Sequence, residues 1–175
     1  MYLKHVFINK NVNDLIQEHA DQGSPNEIGG FLLGRPCISN GDHYAWIIKS
    51  VPGDCISSRT HVVIKESTFD RVWNELDNSE LIIMGWYHTH PGLGIFLSQT
   101  DIKNCLNYYN KSYQIAIVID PIGNDVGTFG WVDGTSTRLA QISASVYIGN
   151  DHRNLFRKPS NYDIIKCDKD GKINQ

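Results

Sequence analysis

One stretch limits the folds open to this chain more than any other: Leu81-Ile82-Ile83-Met84, continued by Gly85-Trp86-Tyr87-His88-Thr89-His90-Pro91. The apolar run reads as a buried strand. In extended backbone, side chains two apart share a face, so His88 and His90 can grip one ion together. Pro91 then removes a backbone donor, and Gly92 and Gly94 allow a sharp turn. Ser98-Gln99-Thr100-Asp101 starts a helical pattern, with Ile102, Cys105, Leu106 and Tyr109 at i, i+3, i+4 and i+7. A carboxylate in that first turn faces back toward the strand end. Two neutral imidazoles and one carboxylate leave a fourth position open, which is the ligand pattern of catalytic rather than structural zinc.

Each of these residues also has a plainer reading. The chain holds seven histidines, so a His-x-His pair can arise by chance. Ser98-x-x-Asp101 is a helix-start pattern in which Ser caps and the acid favours the dipole. The two readings overlap, because a capped helix start holds Asp101 rigid for a metal. His5, His19, His43, His61 and His152 lack ligand-like spacing and read as surface or core residues. Cys105 shares an apolar helix face and reads as packing. Trp46, Trp73, Trp86 and Trp131 read as core, with Trp86 also placed to wall the site.

His-x-His, then Asp eleven residues on with Ser three before it, closely resembles the JAMM motif of the MPN/JAB metalloprotease family. The flanks Gly85-Trp86-Tyr87 and Phe96-Leu97-Ser98 resemble its deubiquitinating and deneddylating members. Glu27-Ile28-Gly29-Gly30-Phe31-Leu32-Leu33-Gly34 supplies the upstream Glu that opens a Gly-rich strand. By itself Glu27, after Ser-Pro-Asn, reads as a solvated loop residue; only the resemblance brings it to the site, as general base. The resemblance further implies zinc on His88, His90 and Asp101, with Ser98 as oxyanion donor. It implies an isopeptidase that removes ubiquitin or a ubiquitin-like modifier from amines, or trims it, after a Gly-Gly tail held by strand pairing. The implied partners are that modifier, its conjugates and a dedicated conjugation system. Two alternatives stand beside it: a non-catalytic MPN scaffold, whose relatives have lost motif positions that are all present here, and a sulfur-carrier-processing JAB hydrolase.

Bulk properties restrict the setting. The 175 residues suffice for one domain with its own core. Net charge is −3 with dispersed cations, which points away from nucleic acid and membrane surfaces. No run reaches the length of a membrane span, and the N-terminus lacks a signal pattern. Cys37, Cys55, Cys105 and Cys167 have no paired short spacing, so reduced thiols in a cytoplasm are expected.

Along the chain, Leu3, Val6 and Ile8 mark a strand. A helix capped by Asn11 should bury Val12, Leu15, Ile16 and His19 and end at Gly23. Asn40-Gly41-Asp42 is a hairpin turn into the strand His43–Ile48. Pro52 to Ser58 reads as a loop, followed by a strand at Thr60–Ile64 and a helix burying Phe69, Val72, Trp73 and Leu76. Further strands fall at Tyr113–Asp120, Thr128–Val132 and Arg138–Tyr147. The expected division is a catalytic domain over 1–148 and an extension over 149–175, a late hairpin around Asp170-Gly171 or a disordered tail. The fold class is α/β; the resemblance specifies a curved, cytidine-deaminase-like mixed sheet flanked by helices.

Overall fold

The computed structural model describes residues 2–132 and 138–148, together with the backbone of 166–167 and 173–174. Strand β1 (Leu3–Asn9) leads into helix α1 (Lys10–Gly23), then β2 (Gly29–Ser39) and β3 (Asp42–Pro52) form a long hairpin. A small hairpin, β4 (Cys55–Ser58) and β5 (His61–Ile64), precedes helix α2 (Ser67–Asp77). Then come β6 (Ile82–Thr89), helix α3 (Gln99–Tyr108), β7 (Ile115–Asp120), β8 (Asp125–Trp131), β9 (Leu139–Gln141) and β10 (Ala144–Tyr147). Eight strands make one mixed sheet in the order β10-β1-β3-β2-β6-β7-β8-β9, with β1, β3 and β10 parallel to one another where paired and β6 parallel to β7.

The sheet is strongly curled, and chain length explains why. β9 and β10 occupy opposite edges of an eight-stranded sheet, which would stand about 34 Å apart if flat. Only residues 142–143 join them, and three Cα steps reach about 10 Å. The edges must therefore curve toward each other into a half-barrel. Inside the curl, Val12, Ile16 and Ala20 of α1 pack on Val6, Ile8, Leu32, Ile47, Tyr87, Ile115 and Ile117. Outside it, α2 brings Val72 to Phe31, Leu33 and Val51, and α3 brings Cys105 to Trp86, Ala116, Val118 and Trp131.

The α/β fold with a curved mixed sheet flanked by helices is the one expected, and the departures are local. Asn9 rather than Asn11 caps α1, its side chain accepting the Asn11 N–H, because β1 runs straight into the helix. The buried stripe is Val12, Ile16 and Ala20, one i, i+4, i+8 row, which leaves Leu15 half exposed. Trp73 is likewise 52% exposed: Val72 takes the core-facing place on α2, and the next residue points about 100° away. The Pro52–Ser58 loop contains strand β4, paired along its length with β5. In β6, Ile82 is exposed, so the apolar run becomes fully buried only at Met84. Arg138–Tyr147 divides into two strands at opposite sheet edges. Cys37 is disulfide-bonded, against the reduced-thiol expectation, while Cys55 and Cys105 are free. The late hairpin is present as two short strands, β11 (Lys166–Cys167) and β12 (Ile173–Asn174); the rest of 149–175 lies outside the described residues.

Candidate metal centre

The site forms where β6 ends, and a single extra residue decides which way it faces. In the β2–β6 ladder Leu32 pairs with Gly85 and Leu33 with Ile83, so Met84 is bulged. Met84 faces the inner core with Tyr87, three positions on. Without the bulge, alternation from Met84 would carry His88 into that core; with it, Trp86, His88 and His90 turn to the α3 side. Gly85 makes this possible: its φ is +142°, and a Cβ there would sit 1.8 Å from the Ile115 carbonyl oxygen.

The two imidazoles meet Asp101 at the start of α3. His88 Nε2 and His90 Nε2 lie 3.2 Å apart, and Asp101 Oδ2 lies 3.3 Å from the first and 3.5 Å from the second. An ion about 2.0–2.1 Å from each of three tetrahedral ligands requires ligand separations of about 3.3–3.4 Å. The observed triangle matches that requirement. All three residues are buried, at 0%, 3% and 6% exposure, and together they could hold a metal ion.

Their surroundings favour the ligand states. Burial pushes the His88 imidazole below its ordinary value, keeping it neutral, although Asp101 pulls the other way. Burial alone would raise Asp101, but hydrogen bonds from His88, His90 and Ser98 outweigh it and hold the carboxyl well below the usual range. Asp101 Oδ2 also accepts the Ser98 N–H at 2.7 Å, and Ser98 Oγ accepts the Asp101 N–H at 3.2 Å. This reciprocal capping box is the plainer reading of Ser98-x-x-Asp101, and it coexists with the ligand geometry. Ring contacts help orient the imidazoles. Trp86 stacks on His88 with centroids 4.2 Å apart and planes at 10°, and Phe96 lies 4.6 Å from His90. Among the described residues the far nitrogens, His88 Nδ1 and His90 Nδ1, have no hydrogen-bond partner.

Glu27 arrives through the ladder. Gly29 pairs with His88, and Ile28 and Thr89 exchange hydrogen bonds, so Glu27 comes level with His90. Its N–H donates to the Ser58 carbonyl, which ties it to the β4–β5 hairpin. It is 6% exposed, and burial pushes its carboxyl up to about 7, with His90 lowering it and Asp101 raising it. A cleft of about 270 Å³ opens over this group, lined by Glu27, His90, Ser98 and Asp101 with Trp86 and Phe96 among its walls. The structure thus brings together all five residues singled out from the motif, Glu27, His88, His90, Ser98 and Asp101.

Two residues at the site carry no such signal in the sequence. His61, by spacing an ordinary surface or core histidine, lies on the hairpin and lines the cleft. Its signal is spatial only. Asp120 registers in the sequence merely as Asp-Pro punctuation, yet its buried carboxylate accepts four backbone N–H groups, two of them from the loop after His90.

A half-barrel sheet thus presents a buried His-x-His and a helix-start Asp, a group that could hold a metal ion, beside a sequestered Glu. The chain belongs to the family described as prokaryotic homologs of the JAB domain, whose model matches residues 9–132. Among curated proteins it is 38% identical over 105 residues to the NAD(+) hydrolase TcpA of Theionarchaea archaeon (strain DG-70-1), covering 58% of this chain and 30% of that one. It is 31% identical over 121 residues to COP9 signalosome complex subunit 5 of Caenorhabditis elegans, covering 63% and 32%. To the 26S proteasome non-ATPase regulatory subunit 14 of Dictyostelium discoideum it is 28% identical over 111 residues, covering 60% and 35%. The aligned parts thus cover about a third of these relatives. The solution structure of protein DSY2949 from Desulfitobacterium hafniense shares the fold, with a TM-score of 0.65, 18% identity, and coverage of 84% of this chain and 96% of that one. Among the described residues, no helix is long and apolar enough to cross a membrane.

Proposed function

We propose that this chain is a zinc-dependent isopeptidase that cleaves the amide bond following the Gly-Gly tail of ubiquitin or a ubiquitin-like modifier. The observation that carries the reading is the tetrahedral triangle of His88, His90 and Asp101 with Glu27 buried beside it in one cleft. When bound, zinc supplies Lewis acidity and a water of lowered pKa. Glu27 has the position to take a proton from the attacking water and return it to the departing amine as the C–N bond breaks. Ser98, whose Oγ accepts the Asp101 N–H in the cap, would turn its O–H to the carbonyl oxygen as charge develops there. Hairpin β4–β5, anchored to Glu27 through Ser58, offers a strand edge for an extended tail. Glycines at the end of that tail would let it pass close to the ligands.

The non-catalytic scaffold reading is weaker because every motif residue is present and assembled. A nucleotide-cleaving role, such as the name of the archaeal relative suggests for that protein, draws no support from the cleft. Among the described residues its lining contains no Lys or Arg to pair a pyrophosphate, and an acidic capping box occupies the α3 N-terminus. The test is single-turnover cleavage of a ubiquitin-like protein fused to a reporter through its Gly-Gly tail, by zinc-loaded and chelator-treated enzyme. Cleavage that requires zinc and is abolished when the glycines become Val-Val is expected. Equal cutting of both fusions, or undiminished cutting in chelator, would refute the reading.

A further inference from the structure

Asp120 ends β7, the parallel neighbour of β6, and the backbones of the two strands remain joined at this point: His90 N donates to Ile119 O at 2.8 Å. Its side chain is 4% exposed. Oδ1 accepts from Gly92 N at 2.7 Å, Gly123 N at 2.8 Å and Ile122 N at 3.0 Å, and Oδ2 accepts from Gly94 N at 3.0 Å. The bonds to Ile122 and Gly123 are those of an Asp heading a tight turn, and the β7–β8 turn needs no more. The bonds to Gly92 and Gly94 reach back 28 and 26 residues and serve nothing in that turn.

They serve the loop between two metal ligands. Residues 91–98 connect His90 to the helix start that carries Asp101, so the course of this loop bears on the 3.5 Å separation of His90 Nε2 and Asp101 Oδ2. Gly92 and Gly94 have φ of +73° and +85°, and these turns aim both amides at one carboxylate. The loop continues into Ile95, packed in the core under α3, and Phe96, which lies against the His90 ring; Leu93 and Phe96 both line the cleft.

We propose that Asp120 is a positioning residue of the metal centre: its carboxylate clamps Gly92 and Gly94 and thereby sets both the His90–Asp101 spacing and the Leu93–Phe96 wall of the cleft. Asp120 stands outside the group of His88, His90 and Asp101 that could hold the ion. The proposal rests on the metal-site reading above, and its test separates the two.

Asp120→Asn keeps the side-chain shape and one acceptor oxygen but turns a donor toward an amide that needs an acceptor. Asp120→Ser keeps a short acceptor for its own turn and cannot span to the loop. Three quantities are measured on wild type and both variants: zinc affinity by competition with a chromophoric chelator, the visible spectrum of the cobalt-loaded protein, and hydrogen exchange at individual amides of metal-free protein. The expected result is about 10–100-fold weaker zinc binding, the usual cost of losing a group that orients metal ligands. An altered cobalt spectrum and faster exchange confined to Gly92 and Gly94 should accompany it in at least the variant that folds. Wild-type zinc affinity with an unchanged cobalt spectrum in a folded variant overturns Asp120's role and leaves the metal site standing. Faster exchange spread evenly over the sheet, or failure of both variants to fold, overturns it in favour of a general structural role. Absence of zinc binding by the wild type sinks the metal-site reading, and this proposal with it.

Discussion

Glu27→Gln is the substitution that separates catalysis from metal binding most cleanly. Gln keeps the size and hydrogen-bonding reach of Glu but cannot take a proton. Glu27 is outside the ligand triangle, so zinc content should remain near one per chain. Turnover should fall about 10²–10⁴-fold, the usual worth of a positioned acid or base, or about 2.7–5.4 kcal/mol of barrier. Burial raises its carboxyl from 4.5 to about 7 in the metal-free protein, so the same change should leave a mark on stability. Between those values the folded chain keeps a proton that the unfolded chain has released. That stabilising contribution is complete below about pH 4.5 and is lost as pH rises through about 7. At pH 8 wild type therefore buries an uncompensated charge that the variant lacks. Metal-free Glu27→Gln should melt higher than metal-free wild type at pH 8, and the advantage should shrink as pH falls through 7 toward 4.5. The assay pairs single-turnover cleavage and zinc analysis with thermal melts in chelator at several pH values. Retained turnover would remove Glu27 from the chemistry. Zinc loss in the variant would make it a ligand, and an advantage growing toward acid pH would refute the burial argument.

Three further outcomes are expected. His88→Ala and Asp101→Ala should each abolish stoichiometric zinc in elemental analysis, whereas Trp73→Ala, on the exposed face of α2, should leave it unchanged. Ser98→Ala removes both a cap and a donor: denaturant unfolding should show a loss of about 0.5–2 kcal/mol, and turnover should drop about 10²–10³-fold with zinc retained. Gly85→Ala places a Cβ 1.8 Å from the Ile115 carbonyl oxygen, so its melting temperature should fall further than that of any single-ligand variant, with disturbed shifts along β6 and β7 in NMR spectra.

The candidate ligand set is legible in the sequence because its spacing is a local matter. His88 and His90 are two apart on one strand, and Ser98 to Asp101 is one turn of helix, so neighbouring backbone geometry alone orients them. Periodicity likewise exposes the core faces of α1 and α2, but only to within one residue: Val12, Ile16 and Val72 are buried as the pattern requires, while Leu15 and Trp73 border their apolar stripes and stay exposed, and Ala20 and Thr68 are buried instead. Glu27 stands in a different position. Its sequence context is that of a loop, and it reaches His90 only because β2 and β6 pair with Gly29 opposite His88 across 59 residues of chain. The bulge at Met84, which turns the histidines away from the inner core, depends on the register of two ladders and leaves no trace in sequence beyond a glycine. The clamp at Asp120 belongs to the same class: an Asp-Pro after an apolar strand announces a turn, while its hold on Gly92 and Gly94 exists only once β6 and β7 lie side by side. Spacing along the chain determined which residues can bind a metal; the long-range strand register decided which way they face, which carboxylate stands beside them and what holds their loop, because pairing across a sheet is set by the whole fold.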